Sequence, residues 1–139
     1  MQVQHIMSRN VEVVEPTTTI SKAAEKMRDL DIGFLAVFEH NRSVGTLTDR
    51  DITIRSVAQG RDPRLATVTE IMTPTAFYCY EDEEIEHVGK QMQDKEVRRM
   101  LIMNRQDKLV GVVSLGDIAK TTGETELAGE TLGEIAEAA

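Results

Sequence analysis

The sequence has little of what marks several common classes of protein. Aromatic residues make up 4% of its 139 residues and tryptophan is absent, so we expect an aliphatic core filled partly by the seven methionines. The single cysteine, Cys79, excludes an internal disulfide and fits a reducing compartment. No stretch approaches the roughly 18 apolar residues of a membrane span, and no secretory signal pattern opens the chain. We therefore expect one compact, soluble, cytoplasmic domain with no membrane contact.

Basic charge is also scarce, and the acidic charge is unevenly spread. The formal net charge is −8 at pH 7, which argues against a nucleic-acid-binding surface because such surfaces need a basic face. Residues 121–139 contain five glutamates and no lysine or arginine. Five of the eight net negative charges thus lie in this acidic tail, and the rest of the chain can still form a basic pocket.

The patterns that identify enzymes and metal sites are missing. The three histidines (His5, His40 and His87) lie in unrelated segments, and the chain has no glycine-rich phosphate loop and no nucleophile elbow. The acidic run 81–84 leaves open a cation site, but acidic residues at a helix start more often stabilise the helix dipole. We expect no catalytic residues, no metal and no cofactor that acts as a catalyst.

The most informative feature is an internal repeat. Residues 45–52, Gly-Thr-Leu-Thr-Asp-Arg-Asp-Ile, recur at 111–118 as Gly-Val-Val-Ser-Leu-Gly-Asp-Ile, a spacing of 66. The opening Ile6-Met7-Ser8 recurs as Ile71-Met72-Thr73 at a spacing of 65, and a turn one residue longer in the second copy explains the difference. The sequence predicts one repeat over 1–62, a second over 63–120, and the acidic tail, which could form a short helix, fray or pack on a partner.

Apolar periodicity gives each repeat the order strand, helix, strand, strand, helix, a mixed α/β (α+β) architecture. The predicted strands cover residues 11–14, 34–38 and 44–47, then 77–80, 99–103 and 109–113. The second helix should run from Thr48 to about Gln59, with Gly60 as its stop. One such half is too small to bury two sheet faces, so we expect the halves to face each other about a pseudo-twofold axis.

The repeated hydroxyl and carboxylate, Thr48 with Asp51 and Ser114 with Asp117, admit two interpretations. They fit a capping box at a helix start, with aspartate in place of glutamate. Alternatively, a hydroxyl beside exposed N–H groups can hold a phosphate while the carboxylate accepts both hydrogen bonds of a ribose diol. The sequence leaves both open.

The duplicated Ile-Met-(Ser/Thr) opening and the Gly-x-x-(Ser/Thr)-x-x-Asp closing strand resemble the cystathionine β-synthase (CBS) domain, present twice as a CBS pair. Residues 47–52 and 59–63 look especially like stand-alone bacterial CBS-pair proteins of the hypoxic response protein type. The resemblance implies a disc-like, non-catalytic regulatory module that forms homodimers. It would bind an adenine nucleotide (AMP, ADP, ATP or a related adenosine derivative) between the repeats and signal to a separate protein partner. A CBS pair with empty clefts that acts as a protein-interaction module is the alternative.

The resemblance also implies unequal clefts. Arg98 and Arg99 would bind phosphate in the main cleft. In the weaker cleft, Glu83 and Val88 would take the positions that Thr18 and Ala23 hold in the main cleft. The main cleft would use Thr18, Ala23, Ile32, Gly33, Arg98, Arg99, Val112, Ser114 and Asp117; the weaker cleft would use Thr46, Thr48, Arg50, Asp51 and Val97.

The helix faces bear on the dimer. The apolar stripes that carry Ile20, Met27, Ile85 and Met92 are too many for a thin disc to cover, which predicts a dimer interface; ordinary core packing is the alternative.

Overall fold

The computed structural model describes residues 1–74 and 77–122, and these fall into two compact units. The Thr48 unit comprises Val11–Ala76, and the Ser114 unit comprises Met1–Asn10 and Phe77–Ala139, each considered over its described residues. Each unit has one three-stranded sheet and its own cluster of buried apolar side chains. The chain was expected to form one compact domain. Its described residues instead have two clusters of buried apolar side chains, one in each unit.

The Thr48 unit contains β1 (Val13–Val14), β2 (Phe34–Glu39) and β3 (Arg42–Thr48), in the order β1-β2-β3. Helix α1 (Ile20–Leu30) connects β1 to its parallel neighbour β2, and β3 returns antiparallel after a tight turn. Helix α2 (Asp49–Asp51) follows β3 directly and continues as a π-helix over Ile52–Val57. A 3₁₀ turn, Val68–Glu70, completes the unit.

The Ser114 unit repeats this order with β4 (Tyr78–Tyr80), α3 (Ile85–Lys95), β5 (Arg99–Met103), β6 (Leu109–Ser114) and α4 (Leu115–Thr122). Its sheet order is β4-β5-β6, with a parallel and then an antiparallel pair. The predicted order of elements is confirmed in both repeats. The first strand is shorter than predicted, and the part of the acidic tail from 123 to 139 lies outside the described residues.

Local signals set several helix ends. Thr19 caps α1 by accepting a hydrogen bond from Lys22 N at 3.2 Å. The second helix ends at Val57 with Ala58 as its C-cap, two residues before the predicted end at Gln59, and Gly60 adopts a φ of 71° in the turn that follows. The C-caps of α1 and α3 are Asp31 (φ 53°) and Glu96 (φ 57°), left-handed positions that usually favour glycine. No helix within the described ranges is long and apolar enough to cross a membrane.

The opening segment of each repeat joins the sheet of the other repeat. Ser8 forms two backbone hydrogen bonds with Val112 of β6, both 2.9 Å, and Thr73 forms the same pair with Thr46 of β3, also 2.9 Å. The sequence repeats and the structural units are therefore different divisions of the chain. The repeat boundary at residues 62 and 63 stays a prediction.

The interpretation of the helix stripes as uncovered faces is wrong. Ile20 and Met92 are completely buried within the single chain, and Met27 and Ile85 expose 6% and 2%. All four belong to the two core clusters, where the sheets cover them. The alternative of ordinary core packing is correct for these side chains, so none of them can serve as an interface.

Candidate functional site

The junction between β6 and α4 carries the second-repeat motif. Ser114 N donates to Asp117 Oδ2 at 2.8 Å, and Asp117 N donates to Ser114 Oγ at 3.1 Å. This reciprocal pair is the capping box that was one of the two interpretations of the motif, and it fixes both side chains at the start of α4. It engages one of the two carboxylate oxygens of Asp117.

Two arginines lie beside this junction within the same unit. Arg99 is the cross-strand partner of Ser114, and the carbonyl of Arg98 accepts a hydrogen bond from Leu115 N at 2.9 Å. Directly opposite residues of an antiparallel pair project from the same face of the sheet, so Arg99 lies next to the Ser114 hydroxyl. Both arginines are exposed. The junction thus combines positive charge, a hydroxyl, a carboxylate and the N-terminal end of an eight-residue helix.

Ser8 joins this group from the opening segment. Its two backbone hydrogen bonds with Val112 place it beside the C-terminal half of β6, and its Oγ accepts a hydrogen bond from Asn10 N at 3.3 Å. The glycine of the motif permits this approach, because a Cβ on Gly111 would lie 2.7 Å from both Ser8 O and Met7 Sδ. The opening and closing phrases of the repeats therefore meet in space.

The Thr48 unit has the same capping box but a different charge. Thr48 N donates to Asp51 Oδ2 at 2.9 Å, and Asp51 N donates to Thr48 Oγ1 at 3.1 Å. Gly33 occupies the position that corresponds to Arg98. The Gly33 carbonyl accepts a hydrogen bond from Asp49 N at 3.1 Å, just as the Arg98 carbonyl accepts one from Leu115 N at the start of α4. A Cβ on Gly33 would lie 2.9 Å from the Asp49 carboxylate. The Asp49 carboxylate thus lies against Gly33, the position that corresponds to Arg98 of the other unit.

Arg55 adds a further difference in the Thr48 unit. Its Nε lies 3.8 Å from Asp51 Oδ1, one helical turn away, and its Nη1 donates to Ile71 O and to Thr73 Oγ1, both at 3.2 Å. The side chain of Asp51 is 13% exposed. The second carboxylate oxygen of Asp51 therefore faces a guanidinium of the same chain.

The predicted site residues group by unit. Arg98, Arg99, Ser114 and Asp117 lie at the β6–α4 junction, and Val97 and Val112 lie in the same unit. Ile32 and Gly33 lie in the Thr48 unit with Thr46, Thr48, Arg50 and Asp51. Thr18 lies in that unit too, just before α1, and its place in the ligand site stays a prediction. Ala23 is completely buried in the core, so a ligand contact there stays a prediction.

The acidic run is occupied by local contacts. The Glu83 carboxylate accepts from the Tyr80 backbone and lies 3.1 Å from His87 Nε2, and Glu84 pairs with the amino terminus. Asp82 forms a two-bond pair with Arg105, which lowers the pKa of that carboxyl below its usual value. Within 1–74 and 77–122, no three histidine, cysteine, aspartate or glutamate side chains cluster as a metal site would require.

Neither Cys79 nor the described cavities coincide with the predicted site. Cys79 is 1% exposed, and burial raises the pKa of its thiol to about 12, so it is a strand residue rather than a nucleophile. A cavity of about 290 Å³ is lined by Glu15, Pro16, Thr17, Glu39 and His40. It contains none of the predicted site residues.

Sequence reasoning missed Ser8, Asp49 and Arg55. Ser8 could have been found, because the repeated Ile-Met-(Ser/Thr) phrase recurs at the spacing of the closing phrase. Arg55 stands four residues after Asp51 on a predicted helix, a spacing that favours an ion pair. Its contacts with Ile71 and Thr73 come from residues distant in sequence, which only the fold brings near.

The two repeats match a known family of domains. The CBS domain family matches residues 3–57 and 68–123. The CBS domain-containing protein YhcV of Bacillus subtilis is 36% identical over 133 residues, which cover 96% of this chain and 94% of that protein.

Two solved structures are similar over most of the chain. The crystal structure of Hypoxic Response Protein I with two coordinated zinc ions has a TM-score of 0.73 and 34% identity over 87% of this chain and 98% of that one. The CBS domain pair of protein MJ0100, in complex with 5′-methylthioadenosine and S-adenosyl-L-methionine, has a TM-score of 0.72 and 26% identity over 86% of this chain and 98% of that one. The chain described here therefore belongs to the CBS domain family, as a protein with two CBS domains.

Proposed function

We propose that this protein is a regulatory module that binds an adenosine-type ligand at the β6–α4 junction and passes the signal to a separate protein. The observation that carries the proposal is that Arg99 lies opposite Ser114, while the Arg98 carbonyl accepts a hydrogen bond from Leu115 N at the start of α4, within one unit. The arginines supply charge for phosphate, and the second Asp117 oxygen can accept hydrogen bonds from a ribose diol. The adenosine derivatives bound by the MJ0100 CBS pair support this chemistry.

The role that we propose is binding rather than catalysis. CBS-pair proteins generally act as non-catalytic regulatory modules, and binding would act by favouring whichever conformation of the protein holds the ligand more tightly. We place the protein in the cytoplasm, which suits its single, buried, reduced cysteine. The contribution of Thr18, Ala23, Ile32 and Gly33 to the same ligand remains part of the proposal.

Ligand identity is tested first by thermal shift with AMP, ADP, ATP and S-adenosylmethionine, and with GMP for comparison. A ligand at about a hundred times its dissociation constant adds roughly 2.7 kcal/mol to the free energy of unfolding, which raises the melting temperature by several degrees. We expect a shift with at least one adenosine derivative and none with GMP. If no adenosine derivative shifts the melting temperature, the empty-cleft interaction module becomes the better description.

The site is tested by calorimetry on wild type, Asp117→Ala and Asp51→Ala. Both variants lose the same capping interaction, which costs about 1 kcal/mol, so each controls for the stability effect of the other. We expect one strong site per chain, lost in Asp117→Ala and kept in Asp51→Ala. The reverse pattern would refute the assignment.

The arginines are tested by ligand charge. Arg98→Gln combined with Arg99→Gln should weaken AMP binding by about 10-fold or more, because hydrogen bonds to charged groups are worth about 1.5–3 kcal/mol. The same change should leave the affinity for adenosine, which has no phosphate, within about 3-fold. An equal loss for both ligands would contradict a phosphate role.

We further propose that the protein forms a homodimer through the exposed apolar side chains of the helix that follows β3. Ile54 and Val57 expose 42% and 68% and lie in the same short helical segment, Ile52–Val57. Exposed apolar side chains grouped in this way favour an interface.

A further inference from the structure

The Asp51 carboxylate has a partner of opposite charge inside the chain. Arg55 Nε lies 3.8 Å from Asp51 Oδ1, and Arg55 Nη1 is held by Ile71 O and Thr73 Oγ1 at 3.2 Å each. Thr73 is in turn fixed by its two backbone hydrogen bonds with Thr46 of β3. The guanidinium thus joins the motif carboxylate to the opening segment of the second repeat, and both Asp51 oxygens are engaged.

The second repeat differs at the matching position. The residue 66 places after Arg55 is Thr121, which carries no charge, and it also stands four residues after its motif aspartate. Among the side chains that the structure describes, none forms an ion pair with Asp117. Both repeats therefore have the capping box. Among the described side chains, only the first repeat brings a cation, Arg55, to the carboxylate oxygen that lies outside the box.

We propose that Arg55 is the residue that closes the first-repeat motif to ligand and so restricts the protein to one adenosine-type site per chain. This inference rests on the proposed function, since it concerns which copy of the motif can accept a ribose diol. A diol that approached Asp51 would have to displace the guanidinium and leave its bonds to Ile71 and Thr73 unmade. Losing hydrogen bonds of a charged group lowers the affinity by about 10- to 100-fold.

The test removes the charge while keeping much of the side-chain length, with Arg55→Gln. The probe is adenosine, because the acidic Asp49 beside Asp51 would repel a phosphate. Calorimetry should give one equivalent of adenosine in wild type and two in Arg55→Gln. The combination Arg55→Gln with Asp117→Ala should retain one equivalent, which assigns the new site to the first repeat. Arg64→Gln, which removes an exposed arginine paired with Asp62, is the control and should leave one equivalent.

A reciprocal variant keeps the test valid if Arg55→Gln fails to fold. Thr121→Arg places an arginine four residues after Asp117 and should weaken adenosine binding there by about 10-fold or more. The control Thr122→Arg adds the same charge one residue further on and should not weaken adenosine binding. Circular dichroism and melting temperature check that each variant is folded.

The outcomes separate the two proposals. If wild type binds no adenosine derivative, the proposed function fails. If wild type binds one equivalent but folded Arg55→Gln also binds one, or if Thr121→Arg leaves the affinity unchanged, the role of Arg55 alone is overturned. A merely structural Arg55 would change the melting temperature without changing the stoichiometry.

Discussion

The repeated glycines provide the sharpest test of how the units are built, and Gly111→Ala is the most informative change. A Cβ at Gly111 would lie 2.7 Å from Ser8 O and 2.7 Å from Met7 Sδ. The methionine sulfur can move, but the Ser8 carbonyl belongs to backbone that is bonded twice to Val112 at 2.9 Å. The added methyl therefore has to push the opening segment away from β6.

The cost follows from these contacts. Overpacking a well-packed site costs about 1–3 kcal/mol, and weakening two backbone hydrogen bonds adds about 0.5–1.5 kcal/mol for each. The sum, about 2–6 kcal/mol, is a large part of the roughly 5–15 kcal/mol that stabilises a typical domain. At about 3–4 °C per kcal/mol for a chain of this length, the melting temperature should fall by roughly 6–24 °C.

Two matched glycines control the measurement by urea or thermal unfolding. Gly116→Ala has no neighbour nearer than 3.6 Å and lies in α4, so it should stabilise by about 0.5–1 kcal/mol. Gly33→Ala meets the movable end of Asp49 and should cost less than about 1 kcal/mol. If Gly111→Ala proved as stable as Gly116→Ala, the packing of the opening segment on β6 would be refuted.

Three further predictions concern single side chains. With a pKa of about 12, Cys79 should be about one part in ten thousand thiolate at pH 8 and should resist iodoacetamide until the protein unfolds; rapid labelling of the native protein would contradict its burial. Because the pKa of Cys79 is raised in the folded state, its contribution to stability is complete below about pH 8.5 and is lost as the pH rises toward 12. Thr19→Ala should lower the free energy of unfolding by about 1 kcal/mol through loss of its cap on α1, while the exposed Thr17→Ala should change it by less than about 0.5 kcal/mol; equal losses would argue against capping. Ile54→Ser with Val57→Ser should convert a dimer to a 15.5 kDa monomer in light scattering, and a wild-type monomer at micromolar concentration would exclude the proposed interface.

The sequence predicted features that depend on neighbours close along the chain. The boxes formed by Thr48 with Asp51 and by Ser114 with Asp117 are each made within four residues, so their residue types reveal them. Apolar periodicity likewise predicted the order of strands and helices, because the face that a helix buries is written in its own spacing.

Local patterns also reached their limit within the same elements. Asp31 and Glu96 end α1 and α3 with left-handed φ values, a position where glycine usually marks the end of a helix. The π-helix over Ile52–Val57 was predicted as a continuation of an ordinary α-helix. The residue types at these positions therefore do not predict the backbone conformation that the structure has.

Only the tertiary structure decided what covers each face and which distant residues meet. The stripes bearing Ile20 and Met92 are as apolar as an interface would be, and their burial became clear once the sheets were seen to cover them. The pairing of Ser8 with Val112 and the approach of Arg55 to Thr73 join segments far apart in sequence or in different repeats. Periodicity specifies which side of an element is apolar, but the path of the chain determines what packs against that side, because burial and long-range hydrogen bonds depend on contacts that no local spacing encodes.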